Sequence, residues 1–311
     1  GVRAIRAFTA IEGRPAPDVF HMNEGHAGFL GVERIREYMT NDRLDFDTAL
    51  TVVRSSTVFT THTPVPAGID RFPVEMVQTY FAEIGDGALL PDVPVERVLA
   101  FGAEDDPSKF NMAHMGLRLA QRANGVSLLH GRVSREMFDE LWPGFDPDEV
   151  PIGSITNGVH GPTWAAPQWL ELGRELAGST EALREPSVWN RIEGVDAGHL
   201  WWIRSQLRAA LVDDVRARLR RSWLERGAAE AELGWIATAF DPNVLTIGFA
   251  RRVPTYKRLT LMLRDPGRLE ALLLDPENPV QLIVAGKSHP ADEGGKALIQ
   301  QVVRFADRPE V

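Results

Sequence analysis

Residues 246–258 read Thr-Ile-Gly-Phe-Ala-Arg-Arg-Val-Pro-Thr-Tyr-Lys-Arg. The apolar run Val244-Leu245-Thr246-Ile247-Gly248-Phe249 has the length and composition of a buried strand. Arg251, Arg252, Lys257 and Arg258 follow it, and a helical pattern is expected from about Thr255. Cations between a strand end and a helix start form an anion trap, to which the helix terminus adds partial positive charge and free N–H groups. With a formal net charge of −9 on the chain, such a cluster calls for an acidic ligand, and a phosphate group suits it. The plainer reading is a solvated turn with salt bridges to nearby carboxylates. That reading leaves Tyr256, set among the cations, without a reason.

Outward from this stretch, short apolar runs alternate with longer amphipathic ones. Residues 29–39 have helical spacing. Residues 57–61 are β-branched and aromatic, as in a strand, and lead into a Pro/Gly loop over 62–68. Helical spacing returns over 110–122, with Asn124-Gly125 as its C-cap. Strands are expected over 126–130, 152–156 and 280–284, and helices over 200–225 and 293–305. Strand–helix alternation of this kind predicts a parallel α/β sheet. A boundary is expected after Asn157, with a hinge at 158–162 and a second α/β portion from about Val244. Ligands of open parallel sheets sit beyond the C-terminal strand ends. That rule selects His62, Asn157, Arg251, Arg252 and the Gly286-Lys287 pair.

At 311 residues, 44% hydrophobic and 25% charged, the composition is that of an ordinary globular protein. The acidic balance argues against a nucleic-acid or anionic-membrane surface. The absence of cysteine excludes disulfides, thiolate metal sites and cysteine nucleophiles, and fits a reducing compartment. His21 and His26, five residues apart, do not share a helical face and suggest no metal pair. His114 reads as a satisfied buried histidine of its helix, and Trp201 and Trp202 as packing residues of the long helix.

Several motifs in a fixed order carry a family likeness. They are 21–29 (His-Met-Asn-Glu-Gly-His-Ala-Gly-Phe), 60–68 (Thr-Thr-His-Thr-Pro-Val-Pro-Ala-Gly), 111–114 (Asn-Met-Ala-His), 156–159 (Thr-Asn-Gly-Val), 249–258 and 285–287 (Ala-Gly-Lys). Together they resemble the α-glucan phosphorylases, which include glycogen, starch and maltodextrin phosphorylases, in their short bacterial and archaeal branch. The resemblance implies an α/β fold of two facing Rossmann-like domains, a GT-B-type glycosyltransferase architecture. Residues 1–157 would be the later part of the N-terminal domain. Residues 158–311 would be a helical connection and the first part of the C-terminal, cofactor and phosphate domain. Both would be incomplete, as in an internal fragment.

The implied reaction moves a glucosyl unit from the non-reducing end of an α-1,4-glucan or maltodextrin to inorganic phosphate. It gives glucose 1-phosphate with retained configuration and uses pyridoxal 5′-phosphate as cofactor. By the same resemblance, Arg252 grips the substrate phosphate with Arg251 beside it, and Lys257 holds the cofactor phosphate. Tyr256 bonds a sugar hydroxyl, while His62 and Asn157 contact the transferred glucose. Glu24 and His26 lie towards the acceptor side of the glucan. The family's aldimine lysine falls in a Gly-rich segment not found here, and Lys287 matches a different lysine. The chain also departs from longer phosphorylases in having Arg251 for Lys and Pro254 for His. A cytoplasmic setting is implied, with no metal, nucleic acid or membrane, and a homo-oligomer is left open.

Two other classes compete. A nucleotide-sugar-dependent glycosyltransferase of the same architecture would use the same strand–cation–helix device, but the segments around Glu24 and His62 favour a phosphorylase. A non-catalytic glycan-binding fragment is the other. A glycoside hydrolase would need a second carboxylate opposite Glu24, and no convincing partner is seen.

Overall fold

The computed structural model describes residues 1–81, 89–90, 93–253, 257–290 and 292–311. The chain divides into two compact units, Gly1–Val159 and His160–Val311.

In the first unit, α1 (Val2–Ile11) precedes β1 (Phe20–Asn23). Next, α2 (Phe29–Asn41) and α3 (Phe46–Ser55) lead to β2 (Thr57–Thr60). An antiparallel ribbon of β3 (Arg71–Pro73) and β4 (Lys109–Asn111) brackets α4 (Val74–Phe81) and α5 (Val95–Leu99). The unit closes with α6 (Met112–Arg118), β5 (Arg122–Gly125), α7 (Leu128–Met137) and β6 (Ile152–Ser154). Strands β1, β2, β5 and β6 form one sheet in that order, with every pairing parallel. Parallel strands are joined by helical crossovers and are therefore covered on their faces. Met22 of β1, Phe59 of β2 and Ile152 of β6 are accordingly buried, with Val32, Ile35, Met115 and Leu119 from the surrounding helices and turns.

Two polar devices lock helices to this sheet. The buried guanidinium of Arg34 on α2 donates to Thr57 Oγ1 at 2.8 Å and Ser56 Oγ at 2.6 Å, and lies over the Phe20 ring. Burial lowers its pKa, yet its partners are neutral acceptors at the start of β2. Asn111 caps α6: its Oδ1 accepts from the N–H groups of Ala113 (2.9 Å) and His114 (3.1 Å). Its Nδ2 donates to Glu104, which also holds Arg71.

The helix expected over 110–122 is shorter than its periodicity implied. It ends at Arg118, and Arg122–Gly125 enters the sheet between β2 and β6. Asn124-Gly125 is strand, not a C-cap; the polar Asn124 is tolerated there because Thr60 Oγ1 donates to its Oδ1 at 3.0 Å. The expected strand over 126–130 is instead the start of α7. Ser127 Oγ accepts the His130 N–H at 3.0 Å, and this capping bond overrides the apolar pattern. Strand β1 itself, inside the 21–29 motif, escapes the sequence reading. His114 is buried on α6 and its Nδ1 bonds the Ala103 carbonyl at 3.0 Å, as expected of a structural histidine.

In the second unit, α8 (Gly161–Trp164), α9 (Pro167–Ala177), α10 (Pro186–Trp189) and the long α11 (Ala197–Glu225) come first. The unit ends with β7 (Leu245–Ala250), α12 (Pro266–Leu273), β8 (Val280–Ala285) and α13 (Glu293–Ala306). β7 and β8 pair in parallel from Leu245↔Val280 to Ala250↔Ala285, so the expected strand forms, but it is not buried: Leu245 and Ile247 are exposed on a sheet of two strands among the described residues. Helix α11 starts ahead of the expected position because the Asp196 carboxylate caps it through the His199 N–H at 2.9 Å. Trp201 and Trp202 do not pack this unit: both are exposed, under Arg208 and against His199 respectively. The helix start expected at Thr255 lies outside the described residues. Among the described residues no helix is long and apolar enough to cross a membrane.

Two stability effects follow. Arg36 foremost, with Arg3, holds the Glu33 carboxylate at a pKa of about 2. A depressed carboxylate stabilises above its unfolded value and loses that effect as pH falls through the folded one. Glu33→Gln is expected to cost about 1–2 kcal/mol near neutral pH, allowing for solvent around Arg3. In thermal melts at a series of pH values, the gap to the wild type should close between the ordinary carboxylate range and pH of about 2. Asn111→Ala should cost about 1–2 kcal/mol through the lost cap. Asn111→Asp should not restore the melting temperature, since it sets a carboxylate against Glu104.

Candidate active site

The C-terminal ends of β1, β2, β5 and β6 form one rim of the first unit. β1 runs out at Asn23, whose register partner is Thr60 at the end of β2. Glu24 follows with its N–H donating to the Thr60 carbonyl at 2.8 Å. Its backbone, at φ 81 and ψ 163, lies in a region essentially reserved for glycine, at a cost of about 1–3 kcal/mol. The other described non-glycine residues with positive φ are Arg43, Phe240 and Arg258.

The Glu24 carboxylate faces the loop after β2. Oε2 accepts from the His62 N–H at 2.7 Å and the Thr63 hydroxyl at 2.9 Å, and Oε1 accepts from the Gly25 N–H at 3.1 Å. His62 Nε2 lies 2.5 Å from Asn23 Oδ1. An amide oxygen only accepts, so Nε2 is the donor in this contact. The structure thus brings two of the expected site residues, Glu24 and His62, into direct contact. His26 follows on a short turn at Gly25–Ala27 and is exposed. Gly25 is pressed on the α6 N-terminus: a Cβ there would stand 2.9 Å from the Met112 carbonyl carbon. This contact joins the 21–29 motif to the 111–114 motif.

Beyond β6, the Asn157 N–H donates to the Val126 carbonyl at 3.2 Å, and its side chain is exposed on the rim. Behind the rim runs a polar chain that sequence reasoning missed. Thr60 Oγ1 donates to Asn124 Oδ1, so the proton of its 2.7 Å contact with His21 belongs to His21 Nε2. The alternation of His21 and Asn23 along β1 was the signal that would have found both polar partners, had that segment been read as a strand.

The second unit carries the cations. The ladder of β7 and β8 continues past its last pair. Arg251 N–H donates to Ala285 O at 3.1 Å, and Val253 N–H to Lys287 O at 3.2 Å. Gly286 makes this close approach feasible, because a Cβ there would stand 2.1 Å from the Arg251 carbonyl oxygen. Val253 is buried, while Arg251, Arg252, Arg258 and Lys287 are exposed and Lys257 is half-buried. Ion pairs of this unit join Arg218 to Asp214, Arg220 to Glu230, Lys296 to Glu293 and Arg308 to Glu270. Among the described residues none takes up Arg251, Arg252, Arg258 or Lys287. Tyr256 lies outside the described residues, as do Pro254 and Thr255.

No family model matches the chain. It is 80% identical over 313 aligned positions to the glycogen phosphorylase of Mycobacterium bovis, an alignment covering 100% of this chain and 36% of that protein. A maltodextrin phosphorylase from Thermococcus litoralis is 38% identical over 94% of this chain and 34% of its own length. A glycogen phosphorylase from Aquifex aeolicus is 36% identical over 94% of this chain and 42% of its own length. The chain thus spans between a third and under a half of the length of these curated relatives. With the expected motifs present and similarity running through both units, it belongs to the α-glucan phosphorylases.

Proposed function

We propose that this chain is part of an enzyme that transfers a glucosyl unit from an α-1,4-glucan to inorganic phosphate. The observation that carries this reading is the 80% identity to a glycogen phosphorylase over the whole chain. Arg251, Arg252 and Lys287, exposed and without an ion-pair partner among the described residues, support it independently, since they suit an inorganic anion.

In this reading, Arg252 binds the phosphate and Arg251 neutralises it further. Fixed cations at a site shielded from water stabilise charge that develops there, without reorganising during the reaction. Two like unit charges about 4 Å apart repel by about 4 kcal/mol at an effective dielectric constant of about 20. Bringing phosphate beside a second anionic group therefore needs such side chains. The C1–oxygen bond to the glucan breaks, the glucan oxygen takes a proton from the phosphate, and a phosphate oxygen joins C1. His62 and Asn157, on the strand-end rim of the first unit, hold the transferred sugar. Lys257 adds charge near the cofactor phosphate, and Tyr256 reaches a sugar hydroxyl.

The resemblance also implies pyridoxal 5′-phosphate. The cations after β7 and β8 fit its phosphate. The ring and aldehyde are not fitted by the described residues. An aldimine needs a lysine facing a ring-sized pocket. Of the chain's four lysines, Lys296 is paired with Glu293, Lys287 is exposed at a strand end, Lys109 lies on β4 and Lys257, half-buried, is the one assigned to the cofactor phosphate. The apolar cavity of about 450 Å³ between α2 and α4 has no lysine in its wall.

The test is phosphorolysis of maltodextrin by the full-length protein carrying this sequence, followed as glucose 1-phosphate release. Loss of a charge-assisted contact of about 1.5–3 kcal/mol predicts that Arg252→Ala raises the KM for phosphate by about ten- to a hundred-fold. The KM for glucan should move by less than about three-fold on the same argument. Equal losses on both substrates overturn the role of Arg252. Sugar-nucleotide consumption without phosphate dependence overturns the reaction itself.

A further inference from the structure

Glu24 occupies backbone space that glycine would occupy freely. A side chain kept there at such a cost has work that glycine cannot do. All three recorded bonds of its carboxylate are internal: to the Gly25 N–H, the His62 N–H and the Thr63 hydroxyl. They begin where the strand ladder stops, one residue past the Asn23↔Thr60 pair. Thr61 is still tied to the sheet through its N–H to the Asn124 carbonyl, and the next backbone turn closes at Gly68 on Val65. Glu24 therefore spans the intervening gap and fixes the backbone of His62, while Asn23 fixes its ring.

We propose that Glu24 is a positioning residue that acts through His62 and does not touch the glucan. This deepens the phosphorylase reading and rests on it for its catalytic consequence. The donor set explains why the side chain is a carboxylate. Two N–H groups and one hydroxyl converge on two oxygens, which an acceptor-only group satisfies completely. An amide of the same shape would turn its NH₂ towards at least one of these donors.

The test uses the full-length protein with Glu24→Gly, Glu24→Gln, His62→Ala and the Glu24→Gly/His62→Ala double variant. Three readouts are taken: melting temperature, deuterium uptake of the peptide spanning residues 60–66, and steady-state phosphorolysis. Glu24→Gly relieves the backbone strain, so its melting temperature should hold or rise. Uptake over 60–66 should nevertheless increase, and kcat should fall at least ten-fold with the KM for phosphate unchanged. Glu24→Gln should reproduce the kcat loss despite its equal size. In the His62→Ala background, Glu24→Gly should cost no more than about two-fold further.

Unchanged uptake over 60–66 in both Glu24 variants overturns the proposal, as does a loss that multiplies fully with His62→Ala. A melting temperature that falls in step with kcat in both variants would make Glu24 merely structural and also overturn it. If the wild-type protein releases no glucose 1-phosphate, the phosphorylase reading fails. The uptake comparison then decides by itself whether Glu24 holds the His62 loop.

Discussion

The parallel register that sets Asn23 beside Thr60, and Thr60 beside Asn124, is the constraint on which the first unit depends. Side chains alternate along a strand, so a slip of one residue would turn each of them to the opposite face. Apolar packing alone specifies this weakly, because each strand is only a few residues long. The polar chain from His21 through Thr60 to Asn124 adds the missing specificity: three neighbouring strands offer donor, relay and acceptor, with His21 reaching Thr60 diagonally from its own level beside Val58. A slipped strand would leave Thr60 and Asn124, both buried, without partners, which is costly. The strands consequently end together, and the residues that follow them share one rim.

The second unit solves a related problem with backbone instead of side chains. Hydrogen bonds continue past the last pair of β7 and β8 and hold the Arg251–Val253 segment against Gly286-Lys287. The cationic side chains need no packing of their own to stay near one another. An exposed guanidinium keeps its hydration, so the cluster costs little while no anion is bound. It also has no internal carboxylate to give up when one arrives, among the described residues. Within a chain of net charge −9, Arg251, Arg252 and Lys287 thus stay unneutralised by the described carboxylates.

Much of this was legible before the structure. The alternation of elements indicated the parallel α/β sheets, and the strand-end rule placed His62, Asn157, Arg251 and Arg252 on rims. What escaped did so for physical reasons. Residues 126–130 look like a strand by hydrophobicity, but a single serine hydroxyl at Ser127 decides for helix. Residues 110–122 have helical spacing, yet Phe110 and Asn111 pair with β3 and the chain from Arg122 is claimed by pairing with β2 and β6, non-local effects that spacing does not report. β1 was hidden because its polar members, His21 and Asn23, are satisfied by residues far along the chain.

The motifs also divide in a way their wording does not disclose. Every member of 111–114 serves the fold: Asn111 caps, Met112 and Ala113 fill the core, and His114 is buried against a carbonyl. The 21–29 segment is mixed, with Met22 in the core, Gly25 wedged on α6, and Asn23 and Glu24 turned to the His62 loop. A distinctive run of residues is therefore poor evidence of chemistry by itself. What separates the roles is position relative to the strand ends. Inside the ladder or under a helix, a polar residue is consumed by the structure. Past the last pair, it is free to face a ligand or to aim a neighbour that does.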